Sequence, residues 1–281
     1  MPQPVTGARK AGRAISGGAS LHYEVAGSGP PVVLIHSGIT DSRSWDQQME
    51  AFARQYRVVR YDMRGFGQSD ISHGAYSARA DLEAVMDEVG MPRAALVAVS
   101  IGSALAVDFV LEHPERVTAL VLVGPGIGGR VRSAEFAALM ADVDRTVDEQ
   151  GLDAGIEREL EIWLYGRGRS ASQLDPAVRA AVFDMDRFNS ARIPDDMKAL
   201  PAAPPAIGRL GEIRTPTLII VGDLDVADVF DAADRLEAGI EGARRVTMTG
   251  TAHVPNMEQP ERFNQIVLDF LGGAISATGR S

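Results

Sequence analysis

The 281-residue chain contains no cysteine and has fewer positive than negative charges. Without thiols it can form no disulfide, no thiolate metal site and no cysteine nucleophile, so any nucleophile must be another side chain. Its 28 Lys and Arg stand against 38 Asp and Glu, a formal net charge of −10. That sign is wrong for binding the phosphates of a nucleic acid. We therefore expect no nucleic-acid partner.

Long apolar runs are also missing. No run approaches the ~20 residues needed to span a bilayer, and about the first 20 residues lack the apolar segment of a secretory signal. These absences predict a cytoplasmic protein with no membrane partner. A hydrophobic fraction of 45% and a charged fraction of 23% are typical of a globular chain. The length fits one domain, or one domain that carries an insertion.

Short apolar runs alternate with helical patterns along most of the chain. The runs are bounded by Gly, Pro or polar residues, as is typical of parallel strands buried on both faces: Val32–Ile35, Ala94–Val99, Ala119–Val123 and Leu218–Val221. The helical patterns are Ser44–Arg54, Ser77–Val89, Gly102–Glu112, Phe230–Glu237 and Pro260–Leu271. Strand alternating with helix predicts an α/β fold, with a mostly parallel central sheet flanked by helices.

The N-terminal segment has a weaker pattern. Residues 1–18 are rich in Gly, Ala and basic side chains, so we expect a loose N-terminus there. Leu21, Tyr23 and Val25 alternate with polar residues, which predicts a half-buried strand. The Gly-rich stretch from Gly27 onward predicts a hairpin with the next strand.

Residues 127–211 break the alternation of strand and helix. Three helical patterns follow one another there without a convincing strand, at Ser133–Glu149, Ala154–Leu164 and Pro176–Phe188. The alternation resumes at Thr217. We therefore interpret residues 127–211 as a helical cap inserted into one core, which is formed by residues 1–126 and 212–281. A separate helical domain is the alternative.

A serine stands between a predicted strand and a predicted helix, at Ser100. A nucleophile at such a strand-to-helix turn needs small residues two positions before and after it, so that strand and helix can approach each other. Ala98 and Gly102 occupy those positions. The alternative role for Ser100 is that of a helix N-cap, which Ser103 could also fill.

His253 is the histidine best placed to act as a base. It follows the predicted strand Arg245–Thr249 and precedes the last helix, so it projects from the carboxyl edge of the sheet, where ligands bind in open parallel sheets. The alternative is an ordinary exposed loop histidine. The other histidines lie in a predicted hairpin, at a strand end, in a polar loop and before a proline, at His22, His36, His73 and His113.

Acidic residues follow the predicted strand Leu218–Val221 at the same edge of the sheet, at Asp223, Asp225 and Asp228. A carboxylate there can orient His253, which in turn removes the proton that makes a serine hydroxyl a poor nucleophile. The alternatives are turn residues or a weak cation loop. The spacing lacks the later glutamate of an EF-hand, so we expect no metal ion.

A serine nucleophile also needs donors for the oxyanion that its attack creates. The backbone N–H of Ile101, directly after Ser100, is one predicted donor. The second should come from the loop after Val32–Ile35, where we choose Gly38. The alternative is that this loop needs glycine only for its turn.

Gly124, Gly126 and Gly129 match the G-x-G-x-x-G spacing of a dinucleotide fingerprint. In such a site the helix leads to a strand that ends in a ribose-binding acid. Here the following helix leads to more helix. We therefore expect neither a dinucleotide nor any other cofactor.

Several segments, in this order along the chain, resemble the α/β-hydrolase superfamily: His36–Gly38 with Trp45 downstream, the Asp-x-Arg-Gly-x-Gly-x-Ser segment Asp62–Asp70, the Ser100 turn, and the paired loops Gly222–Asp225 and Gly250–His253. The resemblance implies the α/β-hydrolase fold and a triad of Ser100, Asp225 and His253. It selects Asp225 rather than Asp223 because Asp225 is the fourth residue of the family's Gly-x-x-Asp pattern.

Within the superfamily the chain resembles 3-oxoadipate enol-lactonases and carboxylesterase-type serine hydrolases, notably in Thr40–Asp46. This implies hydrolysis of a small carboxylic ester or lactone through an acyl-enzyme, with that small molecule as the partner. Three alternatives stay open: a cofactor-free perhydrolase, a carbon–carbon bond hydrolase with the same triad, and a ligand-binding receptor on the hydrolase fold. A homo-oligomer is also left open.

Bulky residues of the predicted cap are candidates for the walls of a substrate pocket. Packing inside the cap is the alternative role for each, since aromatic and large apolar side chains usually fill cores. The candidates are Trp163, Leu164, Phe183, Met185 and Phe188.

Overall fold

The computed structural model describes residues 9–278, so the first eight residues of the predicted loose N-terminus, and residues 279–281, lie outside the described residues. Ten strands are described in that range: β1 (Lys10–Ser16), β2 (Ala19–Ala26), β3 (Pro31–Ile35), β4 (Arg57–Tyr61), β5 (Ala75–Tyr76), β6 (Ala94–Val99), β7 (Val117–Val123), β8 (Lys198–Ala199), β9 (Thr217–Gly222) and β10 (Arg244–Met248).

Eight of these strands form one twisted layer in the order β1-β2-β4-β3-β6-β7-β9-β10. The β1/β2 and β2/β4 pairs are antiparallel, and the other pairs are parallel. Strands β3, β6 and β9 are almost wholly buried, which explains why their sequences are continuous apolar runs rather than alternating ones. The predicted α/β fold with a mostly parallel sheet is confirmed.

Helices cover both faces of the sheet. Nine α-helices are described in residues 9–278: α1 (Asp46–Phe52), α2 (Ala78–Glu88), α3 (Ile101–Glu112), α4 (Ala134–Gln150), α5 (Leu152–Leu160), α6 (Pro176–Ser190), α7 (Ala227–Gly239), α8 (Pro255–Glu258) and α9 (Pro260–Thr278). One apolar cluster joins α2, α3 and α7 to the sheet, and a second joins α1 and α9 to it. None of the helices in the described range is long and apolar enough to cross a membrane.

The N-terminal predictions need two corrections. Part of the predicted loose segment is strand β1, which forms a hairpin with β2 through Gly17 and Gly18. The predicted hairpin between β2 and β3 is wrong, because β4 lies between them and pairs with both. Strand β4 escaped prediction because Arg57 and Arg60 break its apolar run. Arg60 is nevertheless buried, and its charge is balanced by Glu24 and Asp46.

The segment between β7 and β9 carries α4, α5 and α6, close to the predicted helical patterns. The middle pattern differs most, since α5 ends at Leu160 and continues as a π-helical turn over Glu161–Tyr165. Near the exit of the segment, β8 pairs with β5 outside the main sheet. We propose that this segment is a cap over the sheet edge.

Two acidic residues meet between α5 and α6. Asp186 is 1% exposed, and its carboxyl group is hydrogen-bonded to that of Glu159. Burial and the neighbouring charge of Glu159 raise the pKa of Asp186 to about 9. Burial also raises the pKa of Glu159. The pair therefore shares a proton at neutral pH, with Asp186 as the protonated partner.

Asp186→Asn is expected to remove a pH-dependent cost to stability. Folded Asp186 keeps its proton up to pH about 9, whereas the unfolded side chain has the ordinary value of 3.8. Between these values folding takes up a proton, so the free energy of unfolding falls as pH rises. The variant should gain about 1–3 kcal/mol over the wild type at pH 9 and less at pH 5. Urea unfolding at both pH values measures this.

The control is Asp184→Asn, since Asp184 is exposed on the same helix. That variant should differ from the wild type by the same small amount at both pH values. A gain for Asp186→Asn that does not grow with pH would contradict the proton-sharing pair.

Candidate active site

Ser100 lies in the turn from β6 to α3 with φ 58° and ψ −115°. Among the residues described, it is the one non-glycine residue with a positive φ. Such a conformation costs of order 1–3 kcal/mol, persists only where the surrounding structure enforces it, and clusters at functional sites. The Ser100 side chain makes no capping hydrogen bond to α3. Its hydroxyl is therefore not used as an N-cap.

The residues around Ser100 allow the tight turn. A Cβ on Gly102 would lie 2.7 Å from the carbonyl oxygen of His36, so only glycine permits α3 to approach the end of β3. Ser103 is buried, and its hydroxyl donates to the carbonyl of Ala98 at 2.7 Å. It also accepts from the N–H of Val123 at 3.2 Å. Ser103 thus ties β6 to β7 and does not face solvent.

The predicted acid and base meet directly. Nδ1 of His253 lies 2.8 Å from Oδ2 of Asp225, and both side chains are buried. The second carboxylate oxygen of Asp225 accepts the N–H of Val226 at 2.8 Å. An ionised carboxylate only accepts, so this geometry assigns the proton to Nδ1 and leaves Nε2 of His253 as an acceptor.

Asp223 has a different contact from its neighbour two residues on. Its Oδ1 accepts the N–H of Gly250 at 2.6 Å, and the N–H of Leu224 donates to the carbonyl of Thr251 at 3.0 Å. These bonds join the loop after β9 to the loop after β10. Asp223 therefore holds the two loops together, while Asp225 faces the imidazole.

The end of β7 supports the other side of the imidazole. Gly124 has φ +48°, and a Cβ there would lie 2.9 Å from Nδ1 of His253. Any side chain at this position would displace the histidine. The loop that contains Gly124, Gly126 and Gly129 thus helps to shape the site.

Ser100 and His253 line one cavity of about 270 Å³ at the carboxyl edge of the sheet. The walls come from α3, from the loop after β7, from the helical segment that follows and from the start of α7. They are formed by Ile101, Ala104, Gly124, Pro125, Gly126, Ile127, Gly128, Arg130, Arg132, Phe136, Trp163, Asp228 and Val229. The structure therefore brings the predicted nucleophile and base to a shared ligand-sized space.

The two predicted oxyanion donors belong to neighbouring segments. Ile101 is the first residue of α3, directly after Ser100. A Cβ on Gly38 would lie 3.6 Å from Cδ1 of Ile101, so the loop after β3 passes beside the start of α3. His36 braces that loop: its Nδ1 donates to the carbonyl of Ser37 at 2.7 Å, and its Nε2 accepts the N–H of Met63 at 3.0 Å. Burial lowers the pKa of His36, consistent with this neutral ring.

Two arginines in the cavity wall were not singled out from the sequence. Arg130 is neutralised by Asp228 at 2.9 Å and Asp231 at 3.1 Å. Burial opposes ionisation of Asp228, but hydrogen bonds from Ser133 and Arg130 hold the pKa of its carboxyl below the usual range. Arg132 has a different environment. Its guanidinium lies 4.7 Å from the ring centre of Phe136, and no carboxylate in the described part of the chain pairs with it. The sequence feature that could have identified them is the presence of two arginines shortly after the carboxyl end of β7.

The five predicted pocket-wall residues are spread over three environments. Trp163 lines the cavity and packs on the His253 ring, with 4.3 Å between ring centroids. Leu164 and Met185 are buried in the second apolar cluster, and Phe183 packs against it. Phe188 is 47% exposed and lines a separate cavity of about 440 Å³. Four of the five thus do not line the cavity of Ser100 and His253, because they face packing partners or solvent instead.

Comparisons with known proteins agree with this architecture. A family profile described as the alpha/beta hydrolase fold matches residues 30–154. A 2-hydroxy-6-oxononadienedioate/2-hydroxy-6-oxononatrienedioate hydrolase of Paraburkholderia phymatum is 33% identical over 92% of this chain and 93% of its own length. A 2-hydroxy-6-oxo-6-phenylhexa-2,4-dienoate hydrolase of Comamonas testosteroni is 28% identical over 89% and 91%.

Solved structures show the same fold. The enol-lactonase from Burkholderia xenovorans superposes with a TM-score of 0.74 at 25% identity, over 93% of this chain and 100% of that one. A thermophilic esterase from Thermogutta terrifontis gives a TM-score of 0.76 at 23% identity, over 94% and 99%.

Proposed function

The chain belongs to the α/β-hydrolase fold family and is a hydrolase, and we propose that it cleaves a small carboxylic ester or lactone through an acyl-enzyme on Ser100. One observation carries the proposal. Ser100, held at a φ of 58°, shares a cavity with His253, whose Nδ1 lies 2.8 Å from Asp225. A strained serine, a histidine and a buried carboxylate are the groups that nucleophilic acyl transfer requires.

The proposed reaction uses the same groups in both half-reactions. Oγ of Ser100 attacks the carbonyl carbon while Nε2 of His253 takes the hydroxyl proton, and Asp225 stabilises the imidazolium. The backbone N–H groups of Ile101 and Gly38 stabilise the oxyanion. His253 then gives the proton to the departing alkoxide, and the acyl-enzyme forms. Water attacks it in the same way, releasing the acid and restoring the Ser100 hydroxyl.

The two candidate leaving groups differ in the proton transfers that they require from the cavity. Cleaving a carbon–carbon bond requires a proton on the departing carbon, and a dienol substrate must be protonated on carbon before it can break. Besides His253, the ionisable cavity residues are Arg130, Arg132 and Asp228. The lowered pKa of Asp228 keeps that carboxyl ionised. An alkoxide leaving group needs only the one proton that His253 has taken from Ser100. An ester or lactone therefore requires fewer proton transfers than a dienol substrate.

Carbon–carbon bond hydrolysis is the second candidate, because the two curated relatives described above are hydrolases of 2-hydroxy-6-oxo dienoic acids. A substrate panel separates the two. We expect turnover of p-nitrophenyl acetate, p-nitrophenyl butyrate or a small lactone, and slower turnover of a 2-hydroxy-6-oxo-2,4-dienoate. Faster cleavage of the dienoate would select the second candidate. Absence of turnover with the whole panel would favour a ligand-binding role.

We propose further that the substrate carries a carboxylate away from the scissile bond. Arg132 faces the cavity and is held by Phe136 without a carboxylate partner among the described residues. An anionic group on the substrate would supply that partner. The curated relatives, which act on a dienedioate and a dienoate by name, support the same charge.

Arg132→Gln should raise KM about fivefold for p-nitrophenyl succinate and leave KM for neutral p-nitrophenyl butyrate within about twofold. The expected loss corresponds to one ion pair of about 1 kcal/mol, because Arg132 is exposed. Steady-state kinetics on both esters measure the effect. Arg167→Gln is the matched control, because Arg167 also lies over an aromatic ring, that of Phe230, but outside this cavity. Equal KM changes for both esters would remove the charge-recognition role.

Trp163→Leu should change the preference for acyl-chain length, because the indole fills the space beside His253. We expect the ratio of kcat/KM for p-nitrophenyl octanoate over p-nitrophenyl acetate to rise severalfold as the cavity enlarges. Phe188→Leu is the control, since Phe188 lies outside this cavity. An equal loss of activity on both esters after Trp163→Leu would indicate a folding role instead.

A further inference from the structure

The π-helical turn and the loop after it, Trp163–Arg169, contact both loops of the predicted acid and base. The N–H of His253 donates to the carbonyl of Trp163 at 3.0 Å, and the N–H of Arg167 donates to the carbonyl of Leu224 at 2.8 Å. The cap segment is therefore bonded to the backbone on both sides of the His253–Asp225 pair.

Arg169 forms the centre of this junction. Its guanidinium donates to the carbonyl of Tyr165 at 2.7 Å, to that of Leu164 at 2.6 Å and to that of Gly250 at 3.0 Å. The same group pairs with Oε2 of Glu258 at 2.6 Å. The Arg169 and Glu258 side chains are 13% and 5% exposed. The Arg169 guanidinium thus links the cap, the histidine loop and α8, and it is largely shielded from solvent.

Glu258 carries the link to the histidine. Its second oxygen, Oε1, accepts the N–H of Ala252 at 2.8 Å, and Ala252 directly precedes His253. Burial raises the pKa of Glu258, and the pairing with Arg169 opposes that rise. A buried carboxylate is costly unless it is paired. Arg169 and the N–H of Ala252 provide that pairing, so Glu258 joins Arg169 to the histidine loop.

We propose that Arg169 is a positioning residue which, through Glu258 and the carbonyl of Gly250, sets the placement of His253 against Ser100. This proposal rests on the function proposed above, in which His253 is the base. Catalysis is far more sensitive than folding to such placement, because an error of about 1 Å in a reacting group can cost on the order of 100-fold in rate. The cap then contributes to catalysis as well as to the substrate cavity.

Charge gives a readout that a purely structural role would not move. The charged groups around the His253 ring are Asp225, Glu258 with Arg169 and, across the cavity, Arg130, Arg132 and Asp228. Removing the Arg169 cation makes this environment more negative, so protons bind more tightly and the imidazolium is favoured. Removing the Glu258 anion in the same protein should reverse that change.

The kinetic test compares Arg169→Met, Arg169→Lys and the double variant Arg169→Met with Glu258→Gln. For Arg169→Met we expect kcat to fall about tenfold or more with KM within about twofold. The acid limb of the kcat/KM profile should move up by roughly half a pH unit, and the double variant should move it back. Arg169→Lys keeps the positive charge but cannot make all the hydrogen bonds of the guanidinium. Its acid limb should therefore match that of the wild type, and its kcat should lie between those of Arg169→Met and the wild type.

Arg158→Met is the matched control, because Arg158 pairs with Asp142 and Glu161 within the helical segment and does not contact either catalytic loop. Its kcat and its acid limb should match those of the wild type. A fall in kcat for Arg158→Met as large as that for Arg169→Met would overturn the proposal, as would an unchanged kcat in Arg169→Met. If Arg169→Met does not fold, the single variants Arg169→Lys and Glu258→Gln are measured instead. An unchanged kcat in both would then overturn the proposal.

A substrate-free measurement separates this proposal from the proposed function. Titration of the His253 ring by NMR, with its signals identified in His253→Gln, should give a higher midpoint in Arg169→Met than in the wild type and a restored one in the double variant. Identical titrations in all three proteins would overturn the positioning role. The expected shift in a protein that hydrolyses no ester or lactone would refute the proposed function while leaving the positioning role in place.

Discussion

Ser100→Ala is expected to lower kcat for the preferred ester by roughly 10³–10⁶-fold, because it removes the only proposed site of the covalent intermediate. The fold should survive, since the Ser100 hydroxyl does not cap α3. The smaller side chain also relieves none of the backbone strain at φ 58°, so the free energy of unfolding should change little. Steady-state kinetics with p-nitrophenyl butyrate and thermal unfolding followed by circular dichroism measure both quantities.

Ser103→Ala is the matched control for that experiment. Ser103 is buried and bonded to Ala98 and Val123, so its loss should lower the free energy of unfolding by about 1 kcal/mol. Its kcat should stay within a fewfold of the wild type. Near-normal turnover in Ser100→Ala, or a greater loss of turnover in Ser103→Ala, would remove Ser100 as the nucleophile.

Asp225→Asn is expected to lower kcat by about 10⁴-fold, the effect of losing the orienting carboxylate in serine proteases. Asparagine keeps the shape of the side chain, but its amide can present a donor to Nδ1 of His253 and favour the wrong tautomer. Because the loop retains its backbone bonds, the protein should stay folded by circular dichroism. Activity on a small activated ester, measured at a pH where the wild type is maximal, gives the ratio.

Asp223→Asn provides the comparison two residues away. Its Oδ1 accepts the N–H of Gly250, and the asparagine amide oxygen can accept the same bond. We expect kcat within about threefold of the wild type. A severe loss in Asp223→Asn with normal activity in Asp225→Asn would move the acid to position 223, and normal activity in both would remove the acid from the proposed mechanism.

The sheet and the approximate site were accessible from sequence because their signals are local. Each buried parallel strand is a continuous apolar run, and residues that directly follow such strands must lie at one sheet edge. These signals predict that Ser100, an acid that follows β9 and His253 lie together, and the structure brings Asp225 within 2.8 Å of His253. The choice between Asp223 and Asp225 came from a family resemblance, since spacing alone allows either.

Other features depend on contacts that no local pattern encodes. The sequence of β4 is polar at Arg57 and Arg60. Arg60 can be buried because it pairs with Glu24 and Asp46, which lie far from it in the sequence. Which face of a cap helix meets the cavity depends on how that helix docks. Bulk and apolarity therefore could not separate Trp163 from Phe188. The Arg169–Glu258 link joins residues far apart in sequence and has no signature in either segment.

Mass spectrometry of the protein after reaction with a fluorophosphonate tests the central claim, that Ser100 is a nucleophile activated by His253. We expect one adduct, mapped by peptide sequencing to the peptide that contains Ser100. Labelling should slow by orders of magnitude in His253→Gln, which removes the base but leaves the serine. Failure of the wild type to label, an adduct on another residue such as Ser103, or equal labelling rates in the wild type and His253→Gln would contradict the claim.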